Sequence, residues 1–177
     1  MPLQNRVTPF GAIVADPARG AWMGNRGRLH DDRRTLSRRR WTTRAWLICL
    51  LSFKGRRRTP MTPGRYTELF FLDEATALAA GHRPCGECRR TDYVRFRDLF
   101  AEAIGAGART LRAGDIDGVL HSERRRPLDD PTRRTRPDRL PDGVFVALPD
   151  APATAWLLRD GSLRPWSPGG YGAPLRV

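Results

Sequence analysis

Apolar positions along this chain change their period several times, and each change marks an element. The longest apolar run, residues 44–53 (RAWLICLLSF), does not alternate and is too short to cross a membrane, so it predicts a strand buried on both faces. Residues 54–60, with three arginines behind Lys54 and Gly55, turn the chain. Residues 66–72 then predict a second strand, antiparallel to the first. Asp73 is placed to N-cap a helix over residues 74–80, and Gly81 is placed to stop it. A second helix is predicted from about Cys85 to Ile104. Its apolar residues Tyr93, Phe96, Phe100 and Ala103 step by three, four and three, which is one helical face, and Leu99 and Ile104 widen the stripe.

Outside this central block the pattern weakens. Residues 1–43 are broken by repeated glycine and proline and predict an irregular basic N-terminal region, with a turn around Trp22 and a cationic arm at 31–40. Residues 44–105 read as the core. Residues 106–140 read as a basic linker with a short helix within 108–120, and 124–140 hold seven arginines and three prolines. From Pro141 the alternation returns: 144–148, 155–158 and 163–166 predict a β-meander over 141–177, with Asp160-Gly161-Ser162 as one of its turns. The fold class expected is α+β, a small antiparallel sheet with a zinc-anchored helix pair and a C-terminal β-meander.

Composition adds a partner. The 177-residue chain carries a net charge of +13, and all but Lys54 of its 32 basic residues are arginine. A genome rich in G and C explains arginine in place of lysine, but not the surplus over 19 acidic residues. Such a surplus points to a polyanion, nucleic acid first and DNA before RNA. Three cysteines make no disulfide framework, no hydrophobic leader is apparent at the N-terminus and no apolar run reaches membrane length. The expectation is a soluble, cytoplasmic protein with no membrane partner.

The candidate chemistry centres on GHRPCGECRR, residues 81–90. Cys85 and Cys88 are separated by two residues, a spacing that lets two thiolates grip one tetrahedral ion, zinc above all. Arg83, Arg89 and Arg90 beside them favour the thiolate. A redox pair would need a βαβ context, which the pattern lacks. Residues 66–90 also resemble the second half of the zinc-binding domain at the N-terminus of Ada, the bacterial DNA-alkylation-repair protein: an aromatic strand end, a short E-A-x-A-A-type helix, then R-P-C-x-x-C opening another helix. The resemblance implies a structural zinc and a DNA-facing basic surface. In that family an earlier C-x-x-x-C completes the site and one of its cysteines accepts a methyl group. Counted back without gaps, those positions fall on Lys54 and Arg58, which leaves methyl transfer without its acceptor.

More ligands are needed. Cys49, the remaining thiol, lies on the first predicted strand, and an imidazole from His30, His82 or His121 would complete three thiolates and one nitrogen, with His121 the expected fourth ligand. His121-Ser122-Glu123 also echoes the H-x-E of zinc deaminases, though in the wrong order relative to the P-C-x-x-C, so a hydrolase or deaminase using His121 and Glu123 is the alternative. The expected function is zinc-dependent nucleic-acid binding, in DNA repair or regulation, through Arg56, Arg57, Arg58, Arg83, Arg89 and Arg90. An RNA-binding protein stacking bases on Trp156, Trp166 or Tyr171 is a further alternative.

Overall fold

A computed structural model of the chain describes residues 1–56, 59–107, 111–127 and 129–176. Six short strands, β1 (Gln4–Val7), β2 (Ile13–Ala15), β3 (Trp22–Asn25), β4 (Leu47–Cys49), β5 (Leu69–Phe71) and β6 (Arg83–Pro84), form one sheet in the order β2-β1-β5-β3-β4-β6. Pairing is antiparallel except for β1 with β5 and β4 with β6. On β5 the period of two sends Leu69 and Phe71 into the core, while Phe70 faces the other way. These two join Val7 and Ile48 from the sheet and Ala77 and Ala80 from the helix above it, all buried. Each large apolar side chain removed from water here is worth about 1.5–3 kcal/mol. Gly24 makes the centre of the sheet possible, because a Cβ there would lie 2.0 Å from the Leu47 carbonyl oxygen and 2.9 Å from the Phe71 ring.

Helix α1 (Glu74–Ala79) starts where Asp73 accepts a hydrogen bond from the Thr76 amide at 2.8 Å. It ends at Gly81, whose φ of +85° an L side chain rarely adopts. Helix α2 (Arg90–Ala103) follows the C-x-x-C, and α3 (Ala113–Arg124) packs against it. α3 is tied to the sheet by Arg83 of β6, which donates to both carboxylate oxygens of Asp117 at 2.7 and 2.8 Å, with both residues buried. Arg89 does similar work below α1: it lies over the Trp22 ring at 4.0 Å and pairs with Glu74 and Asp92.

The C-terminal residues form the expected meander, β7 (Phe145–Leu148), β8 (Ala151–Arg159) and β9 (Ser162–Ser167), with β10 (Gly170–Tyr171) and β11 (Leu175–Arg176) both pairing with β9. Asp160 and Gly161 both have positive φ, the turn whose twist matches an antiparallel hairpin. Two polar tips fasten the meander to the start of α1: Trp166 Nε1 donates to Thr76 Oγ1 at 3.0 Å, and the Tyr171 hydroxyl donates to Asp73 at 2.6 Å.

The α+β class and the meander are as expected; the details of the first sheet are not. The region read as irregular supplies β1, β2 and β3, strands too short to show a period. β3 stands between β4 and β5, so the two strands expected to pair do not touch as neighbours. The apolar run 44–53 shortens to three strand residues, because beyond Cys49 the chain bends around the thiols and leaves Leu51 exposed. α2 begins at Arg90 rather than Cys85, and it buries Tyr93 and Ala101 while Leu99, Ala103 and Ile104 face outward. Residues 108–110 of the short helix predicted within 108–120 lie outside the described residues; the described helix there is α3.

Candidate metal centre

β4 and β6 run parallel, with Leu47 opposite Arg83 and Ile48 opposite Pro84. Continuing that register by one residue brings Cys85 beside Cys49, and the Cys85 amide donates to the Ile48 carbonyl at 2.9 Å. The turn after Cys85 then carries Cys88 back to the same point. The three sulfurs lie within 4.8 Å of one another, a group that can hold a metal ion. Three thiolates about 2.3 Å from one tetrahedral ion sit roughly 3.8 Å apart, so little movement separates this arrangement from a loaded site.

The thiols share their protons unevenly. Cys85 is pulled down to about 5, first by a hydrogen bond from Cys49 and, against the cost of burial, by the backbone amides of Cys88 and Glu87. Cys49 is pushed up because its proton bonds to Cys85, with burial adding to the effect, and Cys88 is pushed up by burial. Of the three, Cys85 is the thiol most readily given up to a cation as thiolate. Glu87, between the two cysteines, turns outward to pair with Arg56 at 3.0 Å.

The histidines stand elsewhere. His121 is not in the thiol group; its ring meets Trp41 edge-on at 5.3 Å, and desolvation first, then the charges of Arg44, Arg124 and Arg125, lower its pKa. His30 is committed at both nitrogens, to Thr67 Oγ1 and the Thr62 carbonyl. His82 is buried, accepts from Arg26 Nε and donates to the Leu47 carbonyl. Glu123 pairs with Arg126 and Arg133, so the H-x-E pair of the deaminase alternative has no place at the thiols.

Of the arginines chosen from sequence, Arg83 and Arg89 are buried and ion-paired, which takes them out of any interface. Arg56 and Arg90 are exposed, Arg56 with Glu87 as its partner, and Arg57 and Arg58 lie outside the described residues. Trp166 and Tyr171 are held by α1, and Trp156 is half-buried in the meander.

Two features escaped the sequence reading. Glu68 lines a pocket of about 300 Å³ that also includes Cys49, Cys85 and Cys88, walled by Met23, Phe53 and Phe70. Its signal was a lone carboxylate inside an otherwise apolar strand run. The second is Trp41, directly behind the cationic arm expected at 31–40, which is 36 % exposed and packs against Trp46 and His121. Arg26 and Arg124 both lie on the Trp46 ring, at 3.9 and 4.4 Å. Burial, then the charges of Arg124 and Arg40, lower Arg26 to about 9. Among the described residues, Arg38, Arg39, Arg40, Arg44 and Arg125 are exposed and form no ion pair. Its signal was a tryptophan directly behind an arginine run.

Compared with protein-family models, curated proteins and solved structures, the chain has no match. Among the described residues, no helix is long and apolar enough to cross a membrane.

Proposed function

We propose that this is a zinc protein that binds nucleic acid, DNA before RNA, through the face built around Trp41. The observation that carries this is a half-exposed indole that follows Arg38, Arg39 and Arg40 in the chain and meets His121, near which Arg44 and Arg125 stand, all five arginines being exposed and without an ion pair. Burial first lowers Arg26 and His121, and the charges of Arg40 and Arg124 on the one and of Arg44, Arg124 and Arg125 on the other lower them further; a polyanion relieves that second, like-charge part. The indole offers a platform on which an unpaired base stacks whatever its identity. Phosphate contacts then supply affinity without reading sequence.

In this proposal zinc at Cys49, Cys85 and Cys88 has a structural task. It clamps the end of β4 to the turn that leads into α2, and so fixes the strand whose other end carries Trp46 and the basic face. Three thiolates favour a soft ion such as zinc over magnesium or calcium. The resemblance of residues 66–90 to the Ada zinc-binding domain agrees with DNA as the polyanion and suggests DNA repair or its regulation as the setting.

The test is fluorescence anisotropy with labelled random oligonucleotides: single-stranded DNA, duplex DNA and RNA. With about five phosphate contacts, affinity should fall roughly five-hundredfold between about 50 and 200 mM salt. Replacing Arg38, Arg39 and Arg40 by alanine should flatten that slope. Trp41→Ala should weaken the single strand by about tenfold or more and the duplex much less, since stacking needs a free base face. Tighter binding to RNA than to DNA would move the assignment to RNA. Folded, metal-loaded protein that binds none of the three at low salt would overturn the proposal.

A further inference from the structure

We infer that the metal held by Cys49, Cys85 and Cys88 keeps one coordination position for an exogenous ligand, which enters from the adjoining pocket and hydrogen-bonds to Glu68. This rests on the metal assignment above and goes beyond its structural role. A closed structural zinc takes four protein ligands. Among the described residues, only the three thiols gather at the site, and each histidine is placed elsewhere. The seven undescribed residues are arginines, alanine, threonine, leucine and valine, none of them a usual ligand.

Glu68 adds the second observation. It is 5 % exposed and lines the same pocket as the three sulfurs. One carboxylate oxygen accepts from the Met61 amide at 2.7 Å; the other, Oε1, is buried with no hydrogen-bond partner. A buried acceptor left unmatched costs about 1–3 kcal/mol or more when it belongs to a charged group. A donor in the pocket removes that cost. Glu68 is absent from the thiol group, so it acts on what the metal binds rather than on the metal itself.

Charge selects the class of ligand. A divalent ion with three thiolates carries a net −1, and Glu68 adds another negative charge in a pocket walled by Met23, Phe53 and Phe70. The Arg56–Glu87 pair at its edge cancels internally. An anion entering this site meets repulsion in low dielectric, whereas a neutral base bearing a hydrogen satisfies both the metal and Glu68. The site therefore takes water by default and a small neutral nitrogen or oxygen base in its place. The pocket volume, about 300 Å³, stands at the small end of small-molecule sites.

Cobalt(II)-substituted full-length protein tests this, with imidazole as the neutral probe and azide as the anion. Thiolate-to-cobalt charge-transfer bands establish the three-sulfur site, and their absence would overturn the metal assignment and this inference together. With those bands present, imidazole should shift the ligand-field bands at millimolar concentration, and azide should not. Glu68→Gln should weaken imidazole and strengthen azide, each by about tenfold, the scale of a hydrogen bond to a charged group. The imidazole and azide comparison on the unaltered protein decides the matter should Glu68→Gln fail to fold. Ligand-field bands that neither probe moves would show that the protein itself fills the fourth position, which overturns this inference and leaves the metal assignment standing.

Discussion

At the scale of single residues, the same side chain type serves opposite ends according to what it meets. Arg83 and Arg89 look in the sequence like part of a basic, DNA-facing patch, since both flank the C-x-x-C. In the fold each is buried against carboxylates: Arg83 against Asp117, 34 residues away, and Arg89 against Glu74 and Asp92. Of those partners only Asp92, three residues beyond Arg89, is local. His82 is a similar case: it packs as an aromatic ring, 4.7 Å from Phe71 and 5.2 Å from Trp46. It also accepts from Arg26, which requires the neutral imidazole at Nε2. Burial first, and the Arg26 charge second, hold its pKa well below the ordinary 6.5. The unfolded chain therefore binds a proton that the folded chain refuses. Its contribution to stability is complete above about pH 6.5 and is lost as pH falls below that value. Unfolding free energies from denaturant titrations at pH 7.5 and 5 should differ by up to about 2 kcal/mol more in the native protein than in His82→Gln, which has no proton to gain. An identical acid loss in both would remove His82 as the cause.

At the scale of elements, ends matter more than middles. α1 is only six residues long, and its first turn does three tasks: Asp73 caps the helix, receives the Tyr171 hydroxyl, and sets Thr76 to accept from Trp166. Capping was legible from Asp73 preceding an alanine-rich run. The docking of the meander on the same residues was not, because it joins positions 90 and 98 apart in the chain. Asp73→Ala should cost about 1–2 kcal/mol for the cap alone. It should also free the Tyr171 end of the meander, seen as faster amide exchange in β10 and as a shift in tryptophan emission. A loss confined to α1, with β10 protection unchanged, would show that the meander holds itself in place.

At the scale of the whole molecule, the first sheet is a set of strands two to four residues long, with few ladder bonds between any two. A metal ion held by the three thiols would join β4 to the β6 turn as a cross-link that such strands lack, and its binding free energy would count toward folding. Chelation should lower the thermal midpoint by roughly 10 °C or more, and re-addition of zinc should restore it. Cys85→Ser should match the chelated protein and gain nothing from added zinc. Equal midpoints with and without metal would show that the apolar core and the Arg83–Asp117 pair suffice.

Local properties of the chain determined the α+β class, the capped helix, the meander with its Asp160-Gly161 turn, and the Cys85–Cys88 pair. Each depends on period, capping chemistry or spacing within a few residues, and those survive in a one-dimensional reading. Strand order, the insertion of β3 between β4 and β5, the burial of Arg83 and Arg89, and the exclusion of His121 from the thiols depended on contacts across tens of residues. So did the arrival of Glu68 in the pocket of the sulfurs and the placing of Arg44 and Arg125 near His121, whose ring meets Trp41. Burial and ion pairing decide whether a charged side chain is scaffold or surface, and both exist only once distant segments have been brought together.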